Sequence, residues 1–283
     1  MLNGCAYILT VDVGNTFIRF GLFAEDSAAA RECPLATCEI TTPSSITADE
    51  ARMRLAQVMG ALAADAGMPG ALVPTAAVLS CVVPALERPW KAALSRTCTG
   101  RVLTVGPGLK TGMPVHYDDP AEIGPDRIAD AVAARAVYGS PCIVIDLGTT
   151  TNIEVIDAHG TFVGGVIAPG LALGARSLSA AAARLPQVEP SAPTHVIGHN
   201  TREAMRSGVV LGEVARIDGM LDMVLAEMRA TKAAGEGDVP IVITGDDAEA
   251  LAALVGHSLT VDDALTLRGL AELYRINQKP RRA

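Results

Sequence analysis

The sequence is poor in aromatic residues, which fill 3% of its 283 positions against a hydrophobic share of 49%. A core of that composition is built mainly from Ala, Val, Leu and Ile. The six cysteines, Cys5, Cys33, Cys38, Cys81, Cys98 and Cys142, include no Cys-x-x-Cys pair, and none sits at metal-ligand spacing to a histidine. They read as reduced thiols rather than metal ligands. Positive charge is scarce too: the formal net charge is −8, and the acidic residues are spread along the chain instead of gathered in a tail. Such a surface repels phosphate backbones and anionic lipid, so no nucleic acid and no membrane is expected as partner. No uninterrupted apolar run reaches the about 18 residues of a membrane-spanning helix. The opening MLNGCAYILTVDVGNT has no basic flank and no small-residue cleavage site. It reads as a first strand, and the expected location is cytoplasmic. The closing KPRRA, Lys279–Ala283, reads as a solvated end.

What is present is an alternation of strands and helices. Leu9–Phe23 reads as two strands around a polar turn at Gly14, Asn15 and Thr16. After a loop carrying Cys33 and Pro34, Thr47 and Glu50 form a capping box ahead of an amphipathic helix in TADEARMRLAQVMGALAADAG. A buried strand AAVLSCVVP, a helix ALERPWKAALSRTC and a strand RVLTVGPG follow. The order then restarts. GPDRIADAVAARAVYG is a helix with Pro125 in its first turn and Gly139 as its stop. PCIVIDLG, TNIEVIDA and FVGGVIAPG read as three strands, followed by Ala-rich helices, a strand PIVITG and closing helices through LTLRGLAELYRIN. The fold class is α/β, with two domains, 1–118 and 119–283, sharing a cleft.

The two halves open alike. IVIDLGTTTN, 143–152, repeats the pattern of LTVDVGNTFIRFG, 9–21: an apolar run, Asp, an apolar residue, Gly, a polar residue and Thr. Gly14 and Gly148 let backbone N–H groups approach an anion closely, and Thr16, Thr149 and Thr150 add hydroxyl donors. These are phosphate-binding features. The carboxylates of Asp12 and Asp146 would repel phosphate directly, so they make sense with a cation between.

This pattern resembles the phosphate hairpins of the actin, hexokinase and heat-shock-ATPase superfamily, whose two ribonuclease-H-like domains close over ATP. Within it the sequence is similar to the type III pantothenate kinases, which are related to the Bvg accessory factor family. The similarity runs through DVGNTFIRFGLF, SCVVPAL, GPGLKTGMPVHYDDPAEIGPDRIADAVAA, VIDLGTTTN, GGVIAPG, LPQVE, HNTREAMRSGVVLG and LTLRGLAELY. It implies ATP-dependent phosphorylation of the terminal hydroxyl of pantothenate. It also implies a role for each matching residue. Asp126 is the proton acceptor. Tyr117, Gly124, Pro125, Asp126 and Arg127 contact pantothenate, and Thr201 reaches it across a homodimer interface. The run Asp12, Val13, Gly14, Asn15, Thr16, Phe17, Ile18 and Arg19 forms the first phosphate loop, and Thr149 belongs to the second. Asp12 organises Mg²⁺ through water, and Asp146 binds a monovalent cation, K⁺ or NH₄⁺. Gly164, Gly165 and Gly170 form a turn approaching the nucleotide. Read alone, Asp126 complements a helix dipole, Thr201 is a helix N-cap, and the three glycines mark a bulged strand end.

Some positions depart from the family pattern. TGDDAEA has Asp246 where the family has the second glycine of a Thr-Gly-Gly turn, so its carboxylate either crowds ATP or caps the next helix. Thr151, Asn152 and Glu154 replace small and hydroxyl residues followed by Asp, and Asp130 stands where Asn is common. Other readings are weaker. GPGLKT lacks the G-x-x-x-x-G-K-[ST] spacing of a P-loop and the G-x-G-x-x-G of a dinucleotide site. A non-catalytic nucleotide-binding or regulatory relative on the same fold has no need of Asp12, Asp126 and Asp146 together, and a kinase for a different small alcohol has no need of the match at Tyr117–Arg127 and Thr201.

Overall fold

The computed structural model describes residues 6–25, 33–68 and 72–278. Cys5 and the Lys279–Ala283 end lie outside them. The chain divides into two compact units, one of Met1–Val137 with Ala264–Ala283 and one of Tyr138–Asp263. This differs from the expected division at 118/119. The helix expected to open the second half belongs almost wholly to the first unit, and so does the last helix.

In the first unit, β1 (Tyr7–Val13) and β2 (Phe17–Ala24) form the expected hairpin, with Val13 opposite Ile18. All seven residues of β1 are buried, the polar Thr10 and Asp12 among them, as befits a strand with both faces covered. A third strand β3 (Ala36–Thr41) pairs antiparallel with β2, and β4 (Ala76–Cys81) and β5 (Val102–Thr104) add in parallel on the other side. The sheet order is β3-β2-β1-β4-β5. Helix α1 (Ala48–Asp65) opens on the expected capping box, Glu50 N–H donating to Thr47 Oγ1 at 3.2 Å and Thr47 N–H to the Glu50 carboxylate at 2.8 Å. With α2 (Pro84–Thr97) it covers one sheet face around Leu9, Val11, Phe20, Leu55, Leu79 and Trp90. Phe20 and Trp90 meet at 5.6 Å between ring centroids.

Two further helices belong to this unit: α3 (Pro125–Tyr138), stopped as expected at Gly139 with φ +87, and α8 (Leu265–Ile276). They meet at Gly269, where a Cβ would fall 1.9 Å from the Ala129 carbonyl oxygen. Only glycine permits that approach, and sequence order gives no sign of it.

The second unit repeats the first strand for strand. β6 (Cys142–Leu147) and β7 (Thr150–Ile156) form the second hairpin, β8 (Phe162–Pro169) pairs antiparallel with β7, and β9 (Ile241–Gly245) and β10 (Thr260–Val261) add in parallel. Its order, β10-β9-β6-β7-β8, is the first sheet's order read from the other edge. The Ala-rich α4 (Leu171–Ala181) and the short α5 (Thr201–Arg206) follow β8. A π-helical turn at Ser207–Leu211 continues α5 into α6 (Gly212–Ala230), and α7 (Ala248–Ala252) follows β9. Ile143, Ile145, Ile153, Ile217, Leu221 and Leu251 sit in the core between sheet and helices. Strands β3 and β10 are additions to the sequence reading. The five described cysteines are free, and burial pushes the Cys142 thiol up to about 12 and those of Cys81 and Cys98 to about 11. Those three side chains are thiols rather than thiolates.

Candidate active site

The register of the first sheet places a polar row across four strands. Asp12 near the end of β1 pairs with Arg19 on β2 and with Ser80 on β4, and Arg19 pairs with Glu39 on β3. Residues opposite one another share a face, and Arg19 Nε donates to the Glu39 carboxylate at 2.9 Å while its guanidinium lies 6.0 Å from the Phe17 ring centroid. Beyond Val13 the chain turns through Gly14, whose N–H donates to Phe17 O at 3.0 Å, leaving Asn15 and Thr16 exposed at the tip. Thr42, just past β3, anchors the tip twice: its hydroxyl donates to Gly14 O at 2.8 Å and its N–H to Thr16 O at 2.9 Å. Sequence reading did not single out Thr42, because its role depends on the unexpected strand β3.

Asp126 enters from α3. Pro125 takes the first helical position, where its missing N–H costs nothing, and Asp126 Oδ1 accepts the Arg127 N–H at 2.8 Å. A Cβ at Gly124 would fall 2.3 Å from that same oxygen, so a larger residue there would displace the carboxylate. Burial raises the Asp126 carboxyl above the ordinary aspartate range, opposed by the N–H groups of Arg127 and Asp126 and by the Arg127 charge. Asp12 is pushed up to about 6, first by burial and then by the negative charge of Asp126, with the Ser80 hydroxyl and Arg19 pulling the other way. Asp12 Oδ1 is buried and makes no hydrogen bond among the described residues. A buried carboxylate oxygen without a partner, within reach of a second carboxylate's charge, is a place for a cation or its water, and it accords with the cation expected at Asp12. Tyr117 lies half-buried in the loop between β5 and a 3₁₀ turn at Pro120–Glu122.

In the second unit Asp146 takes the place that Asp12 has in the first, with Asn152 of β7 and Thr244 of β9 beside it. Gly245, at φ +92, closes over this end: a Cβ there would fall 2.1 Å from Leu147 O and 2.8 Å from Asp146 Oδ1. Asp246 N–H donates to Leu147 O at 2.6 Å, and the residue capping α7 is Asp247, in the left-handed region at φ 59 and without a side-chain cap bond. The N-cap position of α7 is thus Asp247 rather than Asp246. The Gly148–Thr149 tip is held by Gly170, whose N–H donates to Thr149 O at 3.1 Å and whose Cβ would fall 2.2 Å from Gly148 O. The bulge expected from the glycines is present: Val155 pairs with Gly164 and Ile156 with Phe162, leaving Val163 as the extra residue. Thr201 corrects the reading of it as an N-cap. It is the first residue of α5, and Asn200 is the cap, accepting the Glu203 N–H at 3.0 Å while the Glu203 carboxylate accepts the His199 N–H at 3.0 Å.

Residues 8–223 match the family model described as type III pantothenate kinase. The chain belongs to that family. Type III pantothenate kinases from Nocardia farcinica and Koribacter versatilis are 40% and 37% identical to it, over 97% and 96% of this chain and 99% and 96% of theirs. Among solved structures, the hexokinase of the ROK type from Thermus thermophilus superposes with a TM-score of 0.51 at 14% identity, covering 96% of this chain and all of that one. The ethanolamine utilization protein EutJ from Carboxydothermus hydrogenoformans gives 0.53 at 16%, covering 94% and 89%. At these identities the likeness is one of fold, and it agrees with the paired ribonuclease-H-like topology.

The residues expected to form the site of a type III pantothenate kinase fall into two groups, one on each unit. Asp12, the 13–19 loop and strand, and Gly124–Arg127 belong to the first, where the charge of Asp126 raises the Asp12 carboxyl. Asp146 and Thr149 share a hairpin end in the second, and Thr201 stands apart from them at the start of α5.

Proposed function

We propose that the chain transfers the γ-phosphoryl group of ATP to the terminal hydroxyl of pantothenate, giving 4'-phosphopantothenate, the first step of coenzyme A biosynthesis. The observation that carries this reading beyond family membership is the buried carboxylate of Asp12 together with the half-buried one of Asp126, close enough for the charge of Asp126 to raise the pKa of Asp12. Phosphoryl transfer to an alcohol asks the protein for positioning, charge neutralisation and one proton acceptor.

Asp126 is that acceptor: it takes the hydroxyl proton as the hydroxyl oxygen bonds to phosphorus and the bond to the ADP leaving group breaks. Its raised pKa makes it a better acceptor than an ordinary aspartate. Tyr117, Gly124, Pro125 and Arg127 hold the pantoyl end beside it. Asp12, through its unpaired Oδ1, would hold a water of a bound Mg²⁺, an ion that neutralises charge developing on the phosphates. The backbone and hydroxyls of residues 13–16, the guanidinium of Arg19 and the hydroxyl of Thr149 orient the phosphates, and Asp146 holds K⁺ or NH₄⁺. A homodimer with Thr201 donated to the partner's pantothenate is supported by exposed apolar residues in the same unit. Ile167, Leu178, Val196 and Ile197 are exposed, and α4 buries a single residue, Ala175. Exposed apolar side chains of that kind suit burial against a second copy of the chain. No helix among the described residues is long and apolar enough to cross a membrane, and with the acidic composition this favours a cytoplasmic enzyme.

The test is mass-spectrometric detection of 4'-phosphopantothenate after mixing purified protein with pantothenate, ATP, Mg²⁺ and K⁺. Product from the native protein and none from Asp126→Asn is expected. A folded native protein that makes no product would reject the reading in favour of a regulatory or altered-substrate relative.

A further inference from the structure

The second unit buries a carboxylate for which the reaction above has no use. Glu213 stands in the first turn of α6 and is 5% exposed. A buried glutamate is costly unless both its charge and its lone pairs are engaged. Here both oxygens are: Thr151 Oγ1 donates to Oε1 at 2.7 Å, and Arg216 Nη2, one turn along α6, donates to Oε2. The same Arg216 nitrogen also donates to Pro169 O at 2.5 Å.

Each of these bonds that leaves α6 ends beside the Gly148–Thr149 tip. Thr151 is the second residue after Thr149 along β7. Pro169 is paired in register with Thr150, and its neighbour Gly170 is the residue that fixes Thr149 O and Gly148 O. Anchoring α6 to the sheet does not require this ion pair, because Val214, Ile217, Leu221 and Leu225 already do that through apolar contact. What Glu213 and Arg216 add is directional: two hydrogen bonds that fix where the tip's two flanks lie.

We infer that Glu213 and Arg216 are positioning residues for the second phosphate loop, Arg216 setting the Pro169–Gly170 turn against Thr149 and Glu213 setting Arg216 and Thr151. The inference rests on the assignment of Thr149 to the nucleotide phosphates. Loop placement of this sort shows in nucleotide affinity rather than in global stability.

The experiment measures binding of a non-hydrolysable Mg²⁺–ATP analogue by calorimetry, with KM for ATP and for pantothenate, in Arg216→Met, Arg216→Lys, Thr151→Val and Thr149→Val. Arg216 is one-third exposed, so Met takes over the course of its stem without leaving a void. Thr151→Val is nearly isosteric and removes the Glu213 bond alone. Arg216→Met is expected to weaken analogue binding and raise KM for ATP about tenfold, the effect of losing the charge-assisted bond that holds Pro169. KM for pantothenate should hold, and Lys should restore part of the loss. Wild-type analogue affinity in both Arg216→Met and Thr151→Val, with affinity lost in Thr149→Val, overturns the positioning role and leaves the loop assignment standing. Wild-type affinity in Thr149→Val as well overturns the loop assignment and this inference with it.

Discussion

Replacing Asp12 by Asn is expected to stabilise the protein at neutral pH while abolishing its activity. Burial and the charge of Asp126 hold the Asp12 carboxyl at about 6, against an ordinary value of 3.8. The folded state therefore binds this proton more tightly than the unfolded chain. Below about pH 3.8 both states are protonated and the folded state suffers no penalty. As pH rises toward 6 the unfolded chain ionises first and stability falls, and above 6 the full penalty is in place. At about 1.36 kcal/mol per pH unit, the span from 3.8 to about 6 corresponds to about 3 kcal/mol. Asn keeps the shape of the side chain but carries no charge to desolvate and none to repel Asp126. The assay is urea unfolding from pH 4 to 8 without nucleotide or divalent cation, followed by the fluorescence of Trp90, the single tryptophan of the chain, which is fully buried in the core of the unit that holds Asp12. The two proteins should unfold with nearly equal free energies at pH 4 and differ by about 3 kcal/mol at pH 8, in favour of the variant. A gap that does not change with pH, or a variant less stable than wild type at pH 8, would refute the reasoning. Stability held back in this way at a functional carboxylate is a common cost of activity.

The remaining expectations follow from the same geometry. Asp126 must be ionised to accept a proton, and burial raises its pKa, so kcat/KM should fall on acidification at a pH above the ordinary aspartate value; a profile flat from pH 8 down to 4 would count against it as the base. Replacing K⁺ by tetramethylammonium should remove most of the activity, and equal rates in the two salts would reject the role given to Asp146. Gly269→Ala puts a Cβ 1.9 Å from Ala129 O, so α8 must shift off α3 at a cost of about 1–3 kcal/mol, read from the Trp90 urea midpoint; an unmoved midpoint would show that the helices yield freely.

The duplicated hairpins were legible in sequence because their signal is local: an apolar run, then Asp-x-Gly, is enough to place Asp12 and Asp146 at equivalent strand ends. The capping box at Thr47 and Glu50 and the Pro125–Gly139 limits of α3 were legible for the same reason. Strand β3 was not, since ATCEIT is a short edge strand whose outward residues are polar, and its identity comes from pairing with β2. Thr42 was missed with it. The cap at Asn200 rather than Thr201 turns on one residue's backbone angles, which neighbouring hydroxyl and amide side chains do not distinguish in sequence. Glu213 gave no signal, because a glutamate early in a helix reads as a solvated dipole partner until its burial is known.

The return of α8 to the first unit has a consequence for synthesis. This helix contacts β1, β2 and β4, yet the ribosome makes it after the whole of Tyr138–Asp263. The second unit is contiguous and has all its residues before α8 emerges, whereas the nascent first unit waits with one side of its central strands uncovered. The half of the chain that begins second is thus the half that can finish first.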